Sequence, residues 1–391
     1  MTMTETALPR LMYLGGGARK KLASVLRTMG TSRPLIVSDR TMVSLGYVAE
    51  LVEDLAHEGI PADAFVDTVP EPTASSITAG VEAVHAGAYD VVVALGGGSP
   101  IDSAKAIAIL AAHGGAVSDL RFPRRVDEPG LPIVAIPTTA GTGSEVTKVT
   151  VITQEGGPGV ADEKLLCMGL GFMPWAALVD YELTLTLPPR VTADSGVDAL
   201  SHAIEAYVSR KANPFSDAQA LAALRAIGPN LRTVFADGSD HAARAAMMLG
   251  ATLAGLAFSN ASVALVHGMS RPLGAAFHVP HGTSNAMLLP AVTAYGLTAA
   301  RERYAACARA MGVATGRDDD TAASTALLAE LRSLNSDLQM PTPAEFGIDQ
   351  DAFRAAMPRM ASQALASGSP SNNPRVPSED EIVGIYTQLL G

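Results

Sequence analysis

Through the first half of the chain, short apolar runs alternate with helix-like patterns. Pro34-Leu-Ile-Val-Ser38, Ala64-Phe-Val-Asp-Thr68, Asp90-Val-Val-Val-Ala-Leu95 and Leu131-Pro-Ile-Val-Ala-Ile136 read as strands. Helical patterns follow Ser38 to about His57, then cover Ile77–Ala86 and Ile101–Ala112. Strands alternating with helices predict a parallel sheet wrapped by helices. Unbroken apolar runs fit strands covered on both faces. After about Leu187 the pattern changes. β-Branched runs become rare, and Ala- and Leu-rich stretches at Ser216–Ile227, His241–Phe258 and Thr298–Met311 read as helices. The predicted fold is an α/β N-terminal domain with a parallel sheet, residues 1–187, and an all-helical C-terminal domain, residues 188–391. The boundary falls at Pro188-Pro189. Ser367-Gly-Ser-Pro-Ser-Asn-Asn-Pro-Arg375 is rich in turn formers and reads as a loop before the last helix.

Composition narrows the setting. A chain of 391 residues is long for one core, which agrees with two domains. The net charge of −11 argues against nucleic acid or an anionic membrane as partner. No apolar run reaches membrane-spanning length, and Met-Thr-Met-Thr-Glu-Thr at the start lacks the features of a signal peptide. Cys167 and Cys307 have no metal-site or redox spacing and read as buried thiols. A cytoplasmic protein is expected.

Two loops suit a nucleotide. Gly96-Gly-Gly-Ser99 follows the clearest strand and opens a helix. Glycine permits close backbone approach, and helix-start N–H groups favour a phosphate. Such a turn also serves as a plain tight connection. Pro137-Thr-Thr-Ala-Gly-Thr-Gly-Ser-Glu145 offers hydroxyls and N–H groups after another strand, or is a polar turn. Asp39 ends the first strand; it suits a ribose, disfavouring a 2′-phosphate, and equally suits a helix N-cap. The acid precedes the glycine loop here, unlike the usual dinucleotide fingerprint.

A second group suits a metal. In Gly196-Val-Asp-Ala-Leu-Ser-His-Ala-Ile-Glu-Ala206, Asp198 and His202 are four apart and share one helical face, with Glu205 a turn on. His267 and His281 fall in glycine- and proline-punctuated stretches that read as helix ends and loops. One carboxylate and three imidazoles form a credible ligand set for a divalent transition metal. His278 competes with His281, which is flanked by Pro280 and Gly282.

Together these motifs, with Gly96–Lys105 and His267–Gly282, resemble the iron-containing (group III) alcohol dehydrogenase family along nearly the whole chain. The resemblance implies a dehydroquinate-synthase-like fold, with an N-terminal dinucleotide-binding domain and a C-terminal helical metal-binding domain, and a homo-oligomer, commonly a dimer. It implies Asp198, His202, His267 and His281 as ligands for Fe2+, with Zn2+ an alternative. It implies NAD contacts from Asp39, Gly97, Gly98, Ser99, Asp102, Thr138, Thr139, Thr142 and Lys164. Two positions depart from the family pattern. Arg271 stands where many relatives have histidine, and Glu71 where relatives often have asparagine. Arginine stays protonated and pairs bidentately with a carboxylate, sulfonate or phosphonate.

The expected activity is reversible hydride transfer between NAD(H) and a small alcohol or aldehyde. His267 and His281 serve the metal, and His278 ends a proton relay. Arg271 either clamps an anionic substrate such as succinic semialdehyde or 4-hydroxybutyrate, or pairs within the protein. Two other activities suit the same fold: a transhydrogenase between a hydroxy acid and an oxo acid with tightly bound NAD, and a metal- and NAD-dependent sugar-phosphate cyclase.

Overall fold

The computed structural model describes residues 3–156 and 162–390. The chain folds as two compact units, Ala7–Thr184 and Leu185–Gly391 with Met1–Thr6. The first holds strands Leu11–Leu14 (β1), Pro34–Val37 (β2), Asp63–Phe65 (β3), Val91–Gly96 (β4), Ile133–Pro137 (β5), Val149–Gln154 (β6), Glu163–Met168 (β7) and Ala176–Val179 (β8). Its helices are Leu22–Met29 (α1), Arg40–Ser44 (α2), Tyr47–His57 (α3), Ala74–Ala86 (α4) and Gly98–His113 (α5).

Six of these strands form one sheet in the order β1-β8-β5-β4-β2-β3, and every pairing is parallel. Side chains alternate across it. Leu35, Val37, Val92, Ala94, Ile133 and Ala135 pack with Ile77, Ile101 and Ile107 of α4 and α5. Ile36, Val91, Val93, Leu95, Val134 and Ile136 pack with Leu22, Leu26, Leu51 and Leu55 of α1 and α3. Both faces are therefore dry, which is why the strands read as unbroken apolar runs. Fully burying each Val, Leu or Ile among them contributes about 1.5–3 kcal/mol. β6 and β7 form a separate antiparallel pair.

Three features depart from the sequence pattern. The pattern had no reading for β1, the β6–β7 pair or β8. The long helix expected after Ser38 breaks at Gly46, whose φ of 82° suits glycine. The strand expected at Ala64–Thr68 is the short edge strand β3, shifted one residue earlier.

The second unit is helical among its described residues. It comprises Pro189–Val208 (α6), Pro214–Ala236 (α7), His241–Ala261 (α8), Leu265–Phe277 (α9), His281–Met311 (α10), Asp320–Asp337 (α11), Gln350–Ala366 (α12) and Glu379–Thr387 (α13). Pro189 sits in the first turn of α6, where its missing N–H costs nothing. Helix α10 has non-helical backbone at Ala300, close to where the sequence pattern began a helix. Helix α8 is long and apolar enough to cross a membrane, yet most of it is buried within the protein. Helix α6 is packed against α7, α8 and α10 and buried from Thr192 through Val208 at most positions. It nevertheless carries Asp198, His202 and Glu205 on one face. Buried charges require partners, which makes this face a candidate site.

Candidate active site

Asp198 Oδ1 lies 3.3 Å from His267 Nε2 and 3.5 Å from His281 Nε2. The three donor atoms fall within 4.8 Å of one another. His202 joins them as a packed neighbour. Its ring stacks on His267 at 4.4 Å and on Phe258 at 4.2 Å, and its Nδ1 lies 3.8 Å from Asp198 Oδ1. Asp198, His202 and His267 are buried, whereas the His281 side chain is 43% exposed, which leaves an open side to the cluster.

Different elements deliver these groups. Asp198 and His202 come from one face of α6. His267 is in the first turn of α9, at a helix end as the glycine and proline pattern suggests, and the helix continues through Pro272. His281 is the first residue of α10. The next residue explains the pairing of helices: a Cβ on Gly282 would meet the Asp194 carbonyl oxygen of α6 at 2.1 Å. Only glycine allows that approach. Thr283 Oγ1 then donates to Asp194 Oδ1 at 2.7 Å.

Two residues that the sequence analysis left without a role complete the cluster. Glu205 lies on the same α6 face, seven residues after Asp198. Its Oε2 pairs with His267 Nδ1 at 2.5 Å, and its Oε1 accepts from the backbone N–H of Val266 at 2.6 Å. With Nδ1 held by Glu205, Nε2 is the His267 ring atom that faces Asp198. Asn285, one turn after His281, donates Nδ2–H to Asp198 Oδ1 at 2.8 Å and lies 3.3 Å from both His267 Nε2 and His281 Nε2. Its Oδ1 is buried without a hydrogen-bond partner among the described residues. Helical spacing from Asp198 and from His281 was the available signal for both.

Electrostatics agrees with a cation site. Burial alone would raise the Asp198 carboxyl, but His202, His281 and His267 hold it well below the usual range. Burial disfavours a charged His267, yet Glu205 and Asp198 raise it to about 9. The converging oxygen and ring nitrogens, with an orphaned amide oxygen beside them, fit a divalent transition metal. His278 caps α9 in the left-handed region (φ 54°) and is exposed.

In the first unit, both glycine- and threonine-rich loops leave the carboxyl ends of adjacent strands, with Gly96 opposite Pro137. A Cβ on Gly97 would meet Thr139 Cγ2 at 3.2 Å, and one on Gly98 would meet Thr142 Cγ2 at 2.9 Å. The loops touch because these residues lack side chains. The chain leaves β2 toward β3 on one side and β4 toward β5 on the other. Nucleotides bind at such a switch point, and Asp39 and Gly97 flank it.

Other predicted contacts have defined partners. Asp39 caps α2, accepting from the N–H of Met42 at 3.0 Å, the simpler of its two readings. Asp102 accepts from Ser144 Oγ at 2.6 Å and from the N–H of Val151 at 3.0 Å, so both its oxygens brace the second loop and β6. Fully buried Lys105 donates to Ser144, Thr147 and Val149. Burial lowers its ammonium to about 8, against Asp102 and Glu145. Thr138 is buried, and its N–H donates to the Gly96 carbonyl at 2.9 Å. Lys164 pairs with Glu71 at 2.9 Å. Glu71 has a left-handed φ of 56°, and its N–H donates to Ser99 Oγ at 3.3 Å, next to the glycine loop. Burial pushes the Cys167 and Cys307 thiols up to about 12, and both are free.

The chain belongs to the iron-containing alcohol dehydrogenase family. The model of iron-containing alcohol dehydrogenases matches residues 9–181, and that of the C-terminal part of the Fe-containing alcohol dehydrogenase family matches 192–390. It is 40% identical over 359 residues to long-chain-alcohol dehydrogenase 1 of Geobacillus thermodenitrificans (strain NG80-2), covering 91% of this chain and 89% of that one. It is 34% identical to the NAD-dependent methanol dehydrogenase of Bacillus methanolicus, covering 99% and 100%. A 1,3-propanediol oxidoreductase crystal structure superposes with a TM-score of 0.94 at 34% identity, covering 99% and 100%.

Proposed function

We propose that the protein is a metal-dependent, NAD(H)-dependent alcohol dehydrogenase and aldehyde reductase acting on a small substrate. The convergence of Asp198, His267 and His281 carries the reading. Asp198, His202, His267 and His281 would hold Fe2+, or Zn2+, which when bound supplies a Lewis acid that eases alcohol deprotonation near neutral pH. The nicotinamide supplies the hydride acceptor or donor. Glu205 fixes the His267 tautomer, and Asn285 orients Asp198. Gly97, Gly98, Ser99, Thr138, Thr139 and Thr142 take the pyrophosphate side of the cofactor. Asp39 takes the ribose and disfavours a 2′-phosphate, and Lys164 is a further contact. Asp102 acts by positioning the second loop. Exposed His278 hands the proton to solvent.

The methanol dehydrogenase relative, NAD-dependent by name, supports the choice of cofactor. We also infer a cytoplasmic homodimer. Its support is two free buried thiols and the edge strand β1, whose Leu14 is exposed.

The test is NADH consumption with short aldehydes by protein reconstituted anaerobically with Fe2+. Stoichiometric turnover is expected, and His267→Ala should lose both metal and activity. Full turnover and full metal content in His267→Ala would reject the ligand assignment.

A further inference from the structure

Arg271 stands one turn after His267 on α9, so the two side chains share a helix face. Its Nη1 donates to Ser369 Oγ at 3.0 Å. Ser369 belongs to the 3-10 turn Ser369–Asn372, the segment whose composition read as a simple loop. That turn is fixed in place. A Cβ on Gly268 of α9 would meet Pro370 Cγ at 2.7 Å, and Asn372 donates to Ser262 Oγ and to the Val263 carbonyl, each at 3.0 Å.

The guanidinium is thus held by one neutral hydroxyl. Among the described residues, no carboxylate lies within ion-pairing distance of it. Glu205, the acid whose field reaches it, is engaged by His267 and Val266. Other arginines withdrawn from solvent are treated differently. Arg19 meets Asp180, Glu50 and Glu182. Arg244 donates to Gly238, Thr192 and Leu187. A guanidinium has five N–H donors in a rigid fork, and Ser369 takes only one of them. Arg271 is only partly buried, so its remaining donors stay open to a ligand.

We propose that Arg271 determines substrate specificity by binding the anionic end of a short oxo acid or hydroxy acid, whose aldehyde or alcohol end is the reacting group. Resting on the dehydrogenase reading, this names its substrate class. The planar fork takes a carboxylate bidentately, as lysine or histidine does not. The carboxylate is unchanged in the reaction: aldehyde, NADH and a proton give alcohol and NAD+. Ser369 sets the fork angle.

The experiment compares kcat/KM for succinic semialdehyde and for butanal, with NADH, in the Fe2+-loaded full chain and in Arg271→Met, Arg271→Lys and Arg271→Gln. A second readout is the Tm shift produced by succinate. The wild type should prefer the acid by about 100-fold, about 2.7 kcal/mol. Arg271→Met should lose that preference through the acid substrate alone, keeping butanal turnover and NADH affinity within about threefold. Succinate should raise the Tm of the wild type and not of Arg271→Met, with Arg271→Lys intermediate. Butanal turnover without acid preference would overturn this inference and leave the dehydrogenase intact. An equal loss toward both aldehydes, or weakened NADH binding in all three variants, would also overturn it by assigning Arg271 to cofactor or fold. No NADH consumption with either aldehyde would reject the dehydrogenase reading, and the inference with it.

Discussion

Glu205 decides which nitrogen of His267 is available. Its carboxylate takes Nδ1 at 2.5 Å and leaves Nε2 for the cluster. Partners of this kind orient a ligand, and their loss typically costs about 10–100-fold in metal affinity. Glu205→Gln should therefore weaken metal binding by that factor in a chelator competition, with the far-UV circular dichroism unchanged. Unaltered affinity would show that Glu205 does not orient the ligand. The same pair sets a pH dependence. His267 rises from 6.5 in the unfolded chain to about 9 in the metal-free protein. Its ion pairing thus contributes stability fully below pH 6.5, and the contribution is lost as pH rises through about 9. Denaturant unfolding of the chelated protein should show stability falling over that range. Metal must displace this proton, so its apparent affinity should rise over the same range. Metal affinity that falls as pH rises toward 9 would contradict the assignment. At this scale the sequence exposed the ligand types but not Asn285, because nothing local marks an amide that meets Asp198 only across two helices.

Two glycines show how elements are held at the working distance. The Gly282 contact is with the backbone oxygen of Asp194, which cannot swing aside. Gly282→Ala should separate α10 from α6, displace His281, cost about 1–3 kcal/mol of stability and abolish tight metal binding. Gly98 instead faces the Thr142 side chain, which can rotate. Gly98→Ala should keep full metal content and raise the Kd for NADH several-fold, measured by fluorescence titration. Reversed effects of the two variants would contradict the division of roles. The central strands were legible because both their faces are buried, giving unmistakable apolar runs. β1 and β8 were not, since β1 is a partly exposed edge strand and β8 opens on two alanines, so neither shows a β-branched apolar run. The length of α9 beyond His267 was not legible, because Pro272 and the nearby glycines are helix breakers in isolation. Packing of α9 against α10 and α12 overrides that propensity.

At the scale of the molecule, the residues proposed for cofactor and for metal fall in different units. The predicted nucleotide residues all fall within Ala7–Thr184 and the ligands within Leu185–Gly391. Removing metal should lower the Tm, since a ligand at a hundredfold excess over its Kd stabilises the native state by about 2.7 kcal/mol. NADH affinity should change by less than about threefold in the same chelated sample. A collapse of NADH binding would show that the two sites are energetically coupled.

Hydrophobic period and backbone sterics act over a few residues, so the sequence alone determined the α/β half, the helical half, the glycine loop after β4 and the shared face of Asp198 and His202. Only the tertiary structure decided that His267 and His281 meet Asp198, that Glu205 holds His267, that Thr139 and Thr142 close on Gly97 and Gly98, and that Arg271 rests on Ser369 without an acid. The reason is physical. Which buried charge finds which partner depends on how remote helices pack, and packing is settled by the whole core at once, not by any local run of residues.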